Sequence, residues 1–265
     1  MKTDNDNKML LSFLEERAEK CRKTGQITFS RFLDLNQQSL CASMKLPAGV
    51  SRIFYGASPA PERAVAVFAP DELEINSSAE LEKYYIASPR DCPVTVLKVV
   101  KDRFSKPLGH RDYLGALMAL GINRDVTGDI ETDDSGARIA VAAGMADYIA
   151  GHLTGAGRGT LKITAVYPWD YPSRVRNEGN DESFTVSSLR LDSVVKNGFR
   201  VSREEAHEAI EHGSIFVNDR ECEKPDKRLT EGDKVTFRHR GRLIIEDCSG
   251  VSRKGKTIVK IKRFL

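Results

Sequence analysis

No run of about eighteen apolar residues occurs in the 265-residue chain, and a helix needs roughly that many to cross a bilayer. The opening MKTDNDNKMLLSFLEERAEK sets acids on both sides of a very short apolar run, which is not the pattern of a signal peptide. Cysteine is sparse. Cys21, Cys41, Cys92, Cys222 and Cys248 are odd in number, far apart and never in a C-x-x-C pair. Neither a disulfide framework nor a zinc ribbon is supported, and a reduced cytoplasmic protein is expected. Internal repeats and low-complexity tracts are missing too. What is present is globular composition, 40% hydrophobic and 30% charged, in a chain long enough for two or three small domains.

The net charge of +3 hides a split. Residues 184–265 hold 18 basic and 13 acidic side chains, whereas 1–183 hold 23 and 25. Such asymmetry points to a polyanion-facing module at the C-terminal side.

In the first segment, 1–80, Met9, Leu10, Phe13, Leu14 and Ala18 stand at helical spacing. The stretch TFSRFLDLNQQSLCASMKL after Gly25 is expected to be a second helix. Strands are expected at 53–56 and 64–68 around the turn Ser58-Pro59-Ala60-Pro61. The segment is a small α+β unit without a catalytic cluster.

The second segment, 81–167, gives a strand at 94–100 and a helix on Leu114, Leu117 and Met118 closed by Gly121. Strands at 125–131 and 137–143 follow, joined by Asp133-Asp134-Ser135-Gly136. A helix on Met145, Tyr148, Ile149 and Leu153 leads to a strand at 161–166. This β-α-β-β-α-β order is the ferredoxin-like pattern of RNA recognition domains among others. Neither 94–100 nor 137–143 carries an aromatic, so this sheet is not expected to bind single strands by stacking bases on its own strands. His110, Arg111 and Arg124 suit contact with RNA or ribosomal protein and, about equally, helix capping and surface charge. Residues 168–183, PWDYPSRVRNEGNDES, lack any apolar period and form the linker. Trp169 and Tyr171 within it are expected to pack on a neighbouring domain rather than bind a base, since nothing around them forms a groove in sequence.

The third segment, 184–265, is the informative one. Ser202-Arg203-Glu204-Glu205 is a capping box that starts a helix. Ala206, Ala209 and Ile210 give that helix its apolar face, and Gly213 ends it. Ile215-Phe216-Val217 is a short strand, Asn218-Asp219 a turn, Gly232-Asp233 another turn, and Val235-Thr236-Phe237 a strand. Arg203 and His207 share one helix edge. Arg238, Arg240 and Arg242 alternate, and on one strand they would point to one side. They suit a phosphate surface, or the charged guard of an edge strand.

Arg190-Leu191-Asp192, Ser202-Arg203 with Ala206, Ile210 and Gly213, then Ile215, Val217-Asn218 and Gly232-Asp233 span about fifty residues in order. They resemble the S-four domain, shared by the fourth small-subunit ribosomal protein, bacterial tyrosyl-tRNA synthetases and several pseudouridine synthases. Further upstream, 109–117, Leu120-Gly121-Ile122 and Gly128-Asp129-Ile130 are similar to the middle domain of the YlmH family. Pro61-Glu62-Arg63 fits its N-terminal part, although Gly56-Ala57 departs from the family's usual Gly-Gly. The resemblance implies an α+β protein with a small N-terminal α+β unit (1–80), a ferredoxin-like or RRM-like middle domain (81–167), a linker (168–183) and an αL-type S-four domain (184–265). It implies helices docked on structured RNA, without base-specific reading. A bacterial cytoplasmic protein is implied, with relatives linked to cell-division gene neighbourhoods, the large ribosomal subunit, tRNA and ribosome-associated quality control.

The RNA-binding residues expected are Arg190, Arg200, Ser202, Arg203, His207, Lys224, Arg238, Arg240, Arg242, Arg253, Lys254 and Lys256. Arg190 could instead pair with Asp192 or Glu205. Two motifs are decoys. Gly250 to Thr257 fits the phosphate-loop formula G-x-x-x-x-G-K-S/T, but the stretch after it alternates as a strand where the mechanism needs a helix. His207 and His212 are five apart, which turns them about 140° from each other on a helix, so they do not form a zinc pair. No catalytic residue, metal, membrane contact or nucleotide cofactor is expected. The leading function is non-enzymatic RNA binding at the ribosome's large subunit, on ribosomal RNA or tRNA. An RNA-modifying enzyme (pseudouridine synthase or methyltransferase type) and a scaffold for division proteins are the rivals.

Overall fold

Helix α1 (Lys2–Thr24) forms because Leu14, Ala18 and Cys21 recur on one face, where all three are fully buried. Gly25, at φ 63, donates its N–H to the Cys21 carbonyl and closes the helix. The computed structural model describes residues 2–59, 61–102, 106–173, 179–218, 220–238 and 240–264. Ala60 of the proline turn, 174–178 of the linker, Asp219 of its turn and His239 lie outside the described residues. The chain forms two units, Met1–Arg174 and Val175–Leu265.

The expected second helix is a strand followed by a shorter helix. Strand β1 (Thr28–Leu33) alternates buried and exposed residues until its last two, and helix α2 (Leu35–Ser43) starts only after Asp34. The helical reading missed the cap. The Asp34 side chain accepts from the Gln37 N–H while the Gln37 side chain accepts from the Asp34 N–H, so the helix cannot begin earlier. Strands β2 (Val50–Tyr55) and β3 (Ala64–Pro70) complete an antiparallel sheet in the order β1-β3-β2. Every residue of β3 is buried. Helix α3 (Ser78–Ala87) follows.

Next come β4 (Val94–Lys101), α4 (His110–Ala119), β5 (Thr127–Asp133), β6 (Gly136–Ala142), α5 (Ala146–His152), the two-residue β7 (Gly155–Ala156) and β8 (Gly159–Val166). The sheet order β5-β6-β4-β8-β7, with each pairing antiparallel, is the expected ferredoxin-like topology with a short added edge. The strand expected from 125 starts at Thr127, because Arg124–Val126 is one 3₁₀ turn whose Asn123 carbonyl accepts from Val126.

On one face of this sheet Leu97, Val99, Ile139 and Leu161 pack with Tyr113, Leu117 and Ile149 of the two helices. On the other, Val94, Val96 and Ala140 join Phe32, Tyr55, Val65 and Val67 in a core shared with the N-terminal sheet. Trp169 and Tyr171 pack against that same core, as expected of them. Residues 168–173 are therefore a packed strap, where the sequence suggested only linker. The Tyr171 carbonyl accepts from Arg138 Nε at 2.7 Å, and Ser173 Oγ donates to Glu131 Oε1 at 2.8 Å.

The end of that stretch is ordered as well, as strand β9 (Asn180–Val186). Its polar sequence suits an edge strand exposed on one side. Helices α6 (Leu191–Gly198) and α7 (Arg203–Glu211) follow, then β10 (Ile215–Val217), β11 (Arg220–Glu221), β12 (Lys234–Phe237), β13 (Gly241–Val251) and β14 (Thr257–Phe264). The sheet runs β11-β10-β12-β13-β14-β9. Ile215, Val217, Val235, Leu243, Ile245, Val259 and Ile261 turn one face onto the helices' Leu191, Val194, Val195, Ala206 and Ile210.

Candidate nucleic-acid interface

Arg190 is the N-cap of α6, yet its side chain does not cap it. The first helical N–H groups are satisfied from elsewhere. Leu191 donates to the Lys227 carbonyl at 2.9 Å and Asp192 to the Pro225 carbonyl at 3.0 Å. Arg190 also forms a β-bridge with Arg228. The loop 224–228, with the basic run Lys224-Pro225-Asp226-Lys227-Arg228, is thereby fixed against the start of α6.

Asp192, in the first turn of α6, is 4% exposed. Its carboxylate accepts from Arg190 Nε at 3.2 Å and Nη2 at 3.1 Å, and lies 3.7 Å from His207 Nε2. Of the two acids open to Arg190, Asp192 is the one it pairs with. The pair leaves Arg190 40% exposed, and a guanidinium carries five N–H donors, so donors remain toward solvent. One buried carboxylate thus holds the Arg190 guanidinium and lies beside the His207 imidazole, both half-exposed, at the seam between helices.

Helix α7 starts as the sequence requires at its cap. Ser202 Oγ accepts from the Glu205 N–H at 3.0 Å. The reciprocal half of the expected box is replaced, because Glu205 turns its carboxylate to Arg240 at 2.6 Å. Arg203 stands exposed on the first turn, four residues before His207 and on the same edge. At the far end Ser214 donates to the Ala209 carbonyl and Gly213, at φ 67, to that of Ile210, which together stop the helix. Arg200 lies in the turn between α6 and α7 at φ 56, the left-handed region, and bonds Glu182 at 3.2 Å.

Arg238, Arg240 and Arg242 do not share a strand, which corrects the one-sided array expected of them. β12 ends at Phe237 and β13 starts at Gly241, and the Arg240 N–H donates back to the Phe237 carbonyl to make a turn. Each guanidinium instead covers a different ring: Arg238 over Phe216 at 5.1 Å, Arg240 over Phe237 at 5.3 Å, Arg242 over Phe264 at 4.6 Å. Arg253, Lys254 and Lys256 are exposed on the β13–β14 turn, where Ser252 and Lys256 pair backbone to backbone and Gly255 takes φ 71. That turn is at the opposite end of the hairpin from Arg242, about 30 Å away by strand rise. It is nearer the seam, since Thr257 pairs with Val186, four residues before Arg190.

The structure therefore gathers Arg190, Arg203, His207 and Lys224 about the start of α6 and the edge of α7. Arg200 and Ser202 sit on the intervening turn, and Arg240 on the other flank of α7. Lys227 and Arg228 belong to the first group. Sequence reasoning passed over them, although the density of cations in 224–228 signals them.

The phosphate-loop formula at 250–257 is followed by strand β14, with no helix N-terminus there to face a phosphate. Among the described residues no group of three or more His, Cys, Asp or Glu side chains is placed to hold a metal, and no helix is long and apolar enough to cross a membrane.

Comparison with known proteins bears on the same regions. A family model described as "Putative RNA-binding domain in YlmH" matches residues 89–167, and one described as "S4 domain" matches 189–235. The "Ribosome-associated protein quality control protein P2" of Bacillus subtilis is 30% identical over 234 residues, 88% of this chain and 85% of that protein. The "Small ribosomal subunit protein uS4" of Thermus thermophilus is 41% identical over 54 residues, 20% of this chain and 26% of that one. Among solved structures, "Cell division protein ylmH from Streptococcus pneumoniae" aligns at a TM-score of 0.47 and 15% identity, over 63% of this chain and 95% of that one.

Proposed function

The chain belongs to the YlmH family, and from that membership and the seam between α6 and α7 we propose a non-enzymatic RNA-binding protein that docks on structured RNA of the large ribosomal subunit. The RNA is ribosomal RNA or tRNA, the setting is cytoplasmic, and the process is ribosome-associated quality control, as in the name of the Bacillus relative. The functional division follows the segments 1–80, 81–167 and 184–265, with 168–183 between them.

One observation supports this reading above the rest. Arg190 and His207 are held on buried Asp192 while Arg203, Lys224, Lys227 and Arg228 surround them. Cations fixed on rigid elements meet phosphates at little entropic cost, and each phosphate neutralised releases counterions. The exposed Arg253, Lys254 and Lys256 on the hairpin turn reach a second stretch of backbone. Such contacts set position and orientation and leave sequence unread.

The test is ribosome co-sedimentation. Reversing Arg190 would set a glutamate beside buried Asp192 and endanger the fold, so exposed residues are chosen. Arg203→Glu, Arg253→Glu and Lys256→Glu together are expected to abolish co-sedimentation at physiological salt while leaving the circular dichroism unchanged. Undiminished co-sedimentation of that folded protein would refute the assignment.

A further inference from the structure

The outer face of the middle sheet, away from α4 and α5, is only half covered. Val94, Val96 and Ala140 lie in the core shared with the N-terminal sheet, and the strap 168–173 crosses beside them. Beyond the strap the face is open. Lys98 pairs with Thr164, and Val100 with Lys162, so these four form one contiguous block on adjacent strands. All four are exposed, Val100 at 43% despite its apolar side chain. β4 and β8 together carry three lysines and no acid. The acids of the far edge are engaged: Glu131 with Arg138 and Ser173, Asp133 with the N–H groups of Ser135 and Gly136.

The strands have no aromatic here, but the strap supplies Trp169 and Tyr171, and Tyr167 precedes it directly. Lys98 Nζ lies 5.2 Å from the centre of the Tyr171 ring. Tyr167 stacks on Trp169 at 4.9 Å with the planes 6° apart, and Tyr167 stays 41% exposed. Trp169 is backed by the core, so the stack is rigid on one side and open on the other. Aromatic faces beside lysines, with an acid-free pair of strands beneath, match unpaired bases and their phosphates. A protein partner would need a broader apolar patch than one valine.

We propose that the open half of the middle sheet, with the Tyr167–Trp169 stack and Tyr171, is a binding site for single-stranded RNA. The site is separate from the S-four seam and does not depend on it.

Trp169 is the only tryptophan in the chain, so its fluorescence reports on this site. Titrating the intact protein with a uridine oligonucleotide is expected to quench it saturably. Tyr167→Ala is expected to weaken that titration by about ten-fold, and Tyr167→Phe to leave it unchanged. Lys98→Glu with Lys162→Glu, both at exposed positions, is expected to abolish it at physiological salt. The Arg203→Glu, Arg253→Glu, Lys256→Glu protein is expected to quench as the parent does, even though it no longer sediments with ribosomes. An absent quench overturns the proposal. So does a quench that survives the lysine reversals or disappears with the S-four variant.

Discussion

Asp192 is an acid at the centre of the surface proposed to meet RNA. By charge alone, Asp192→Asn should tighten RNA binding. The geometry argues the reverse, because the carboxylate holds Arg190 through two hydrogen bonds and faces His207. Asp192→Asn is expected to weaken binding of structured RNA by roughly ten-fold, about 1.4 kcal/mol, in a filter-binding titration. A gain in affinity would show that Arg190 needs no such support. Arg200 makes a complementary case. Its left-handed backbone is a place for glycine, and a side chain there costs about 1 kcal/mol. Its exposed pair with Glu182 returns only a few tenths. Arg200→Gly is therefore expected to raise the denaturation midpoint while lowering the slope of log affinity against log salt by about 1. Ala57, at φ 58, shows the same tension where the family has its second glycine. Here, however, the methyl group is buried in the N-terminal core.

Among the elements, α6 depends on a glycine for close approach. A Cβ on Gly198 would come within 2.3 Å of Leu243 Cδ2 and touch Ile261 and Phe184. Gly198→Ala is expected to destabilise the C-terminal unit by about 1–3 kcal/mol, read from denaturant unfolding. An unchanged midpoint would mean that α6 can slide on β13. Elements bounded by local chemistry were legible from sequence. Helix α7 has Ser202 at one end and Gly213 at the other, and both act within four or five residues. Strand β1 was not legible, since its Phe and Leu residues suit either period, and pairing with β3, over thirty residues on, decides it. The split of Arg238, Arg240 and Arg242 was hidden for a related reason. Nothing local marks where β12 stops, and each arginine settles on a ring brought by another part of the fold or by its own strand end.

At the scale of the whole molecule, each of the two units has its own core, and in the first the two sheets share one. Asp129 helps to join those sheets. Its carboxylate accepts the N–H groups of Glu62 and Arg63, both at 2.9 Å. Arg63 in turn bonds carbonyls of Phe32, Arg124 and Thr127. Desolvation first, then the charge of Glu62, pushes Asp129 up to about 7, against the pull of the two N–H donors. Its folded value exceeds the unfolded one near 4. The stabilisation linked to it is complete below about pH 4 and is lost as pH rises through about 7. Unfolding of the first unit is therefore expected to need less denaturant at about pH 8 than at about pH 5, and Asp129→Asn to flatten that difference. An Asn variant with the parent's pH slope would place the titration elsewhere.

The chain by itself determined its caps, its glycine stops, the ferredoxin-like order and the basic C-terminal third, because all of these arise from neighbours a few residues apart. The folded structure decided which distant groups meet. It brought Pro61-Glu62-Arg63 onto Gly128-Asp129, set Arg190 and His207 on one carboxylate, and laid residues 168–173 across a sheet. Those meetings follow from burying apolar faces and satisfying the polar groups trapped between them, and no local pattern of residues encodes them.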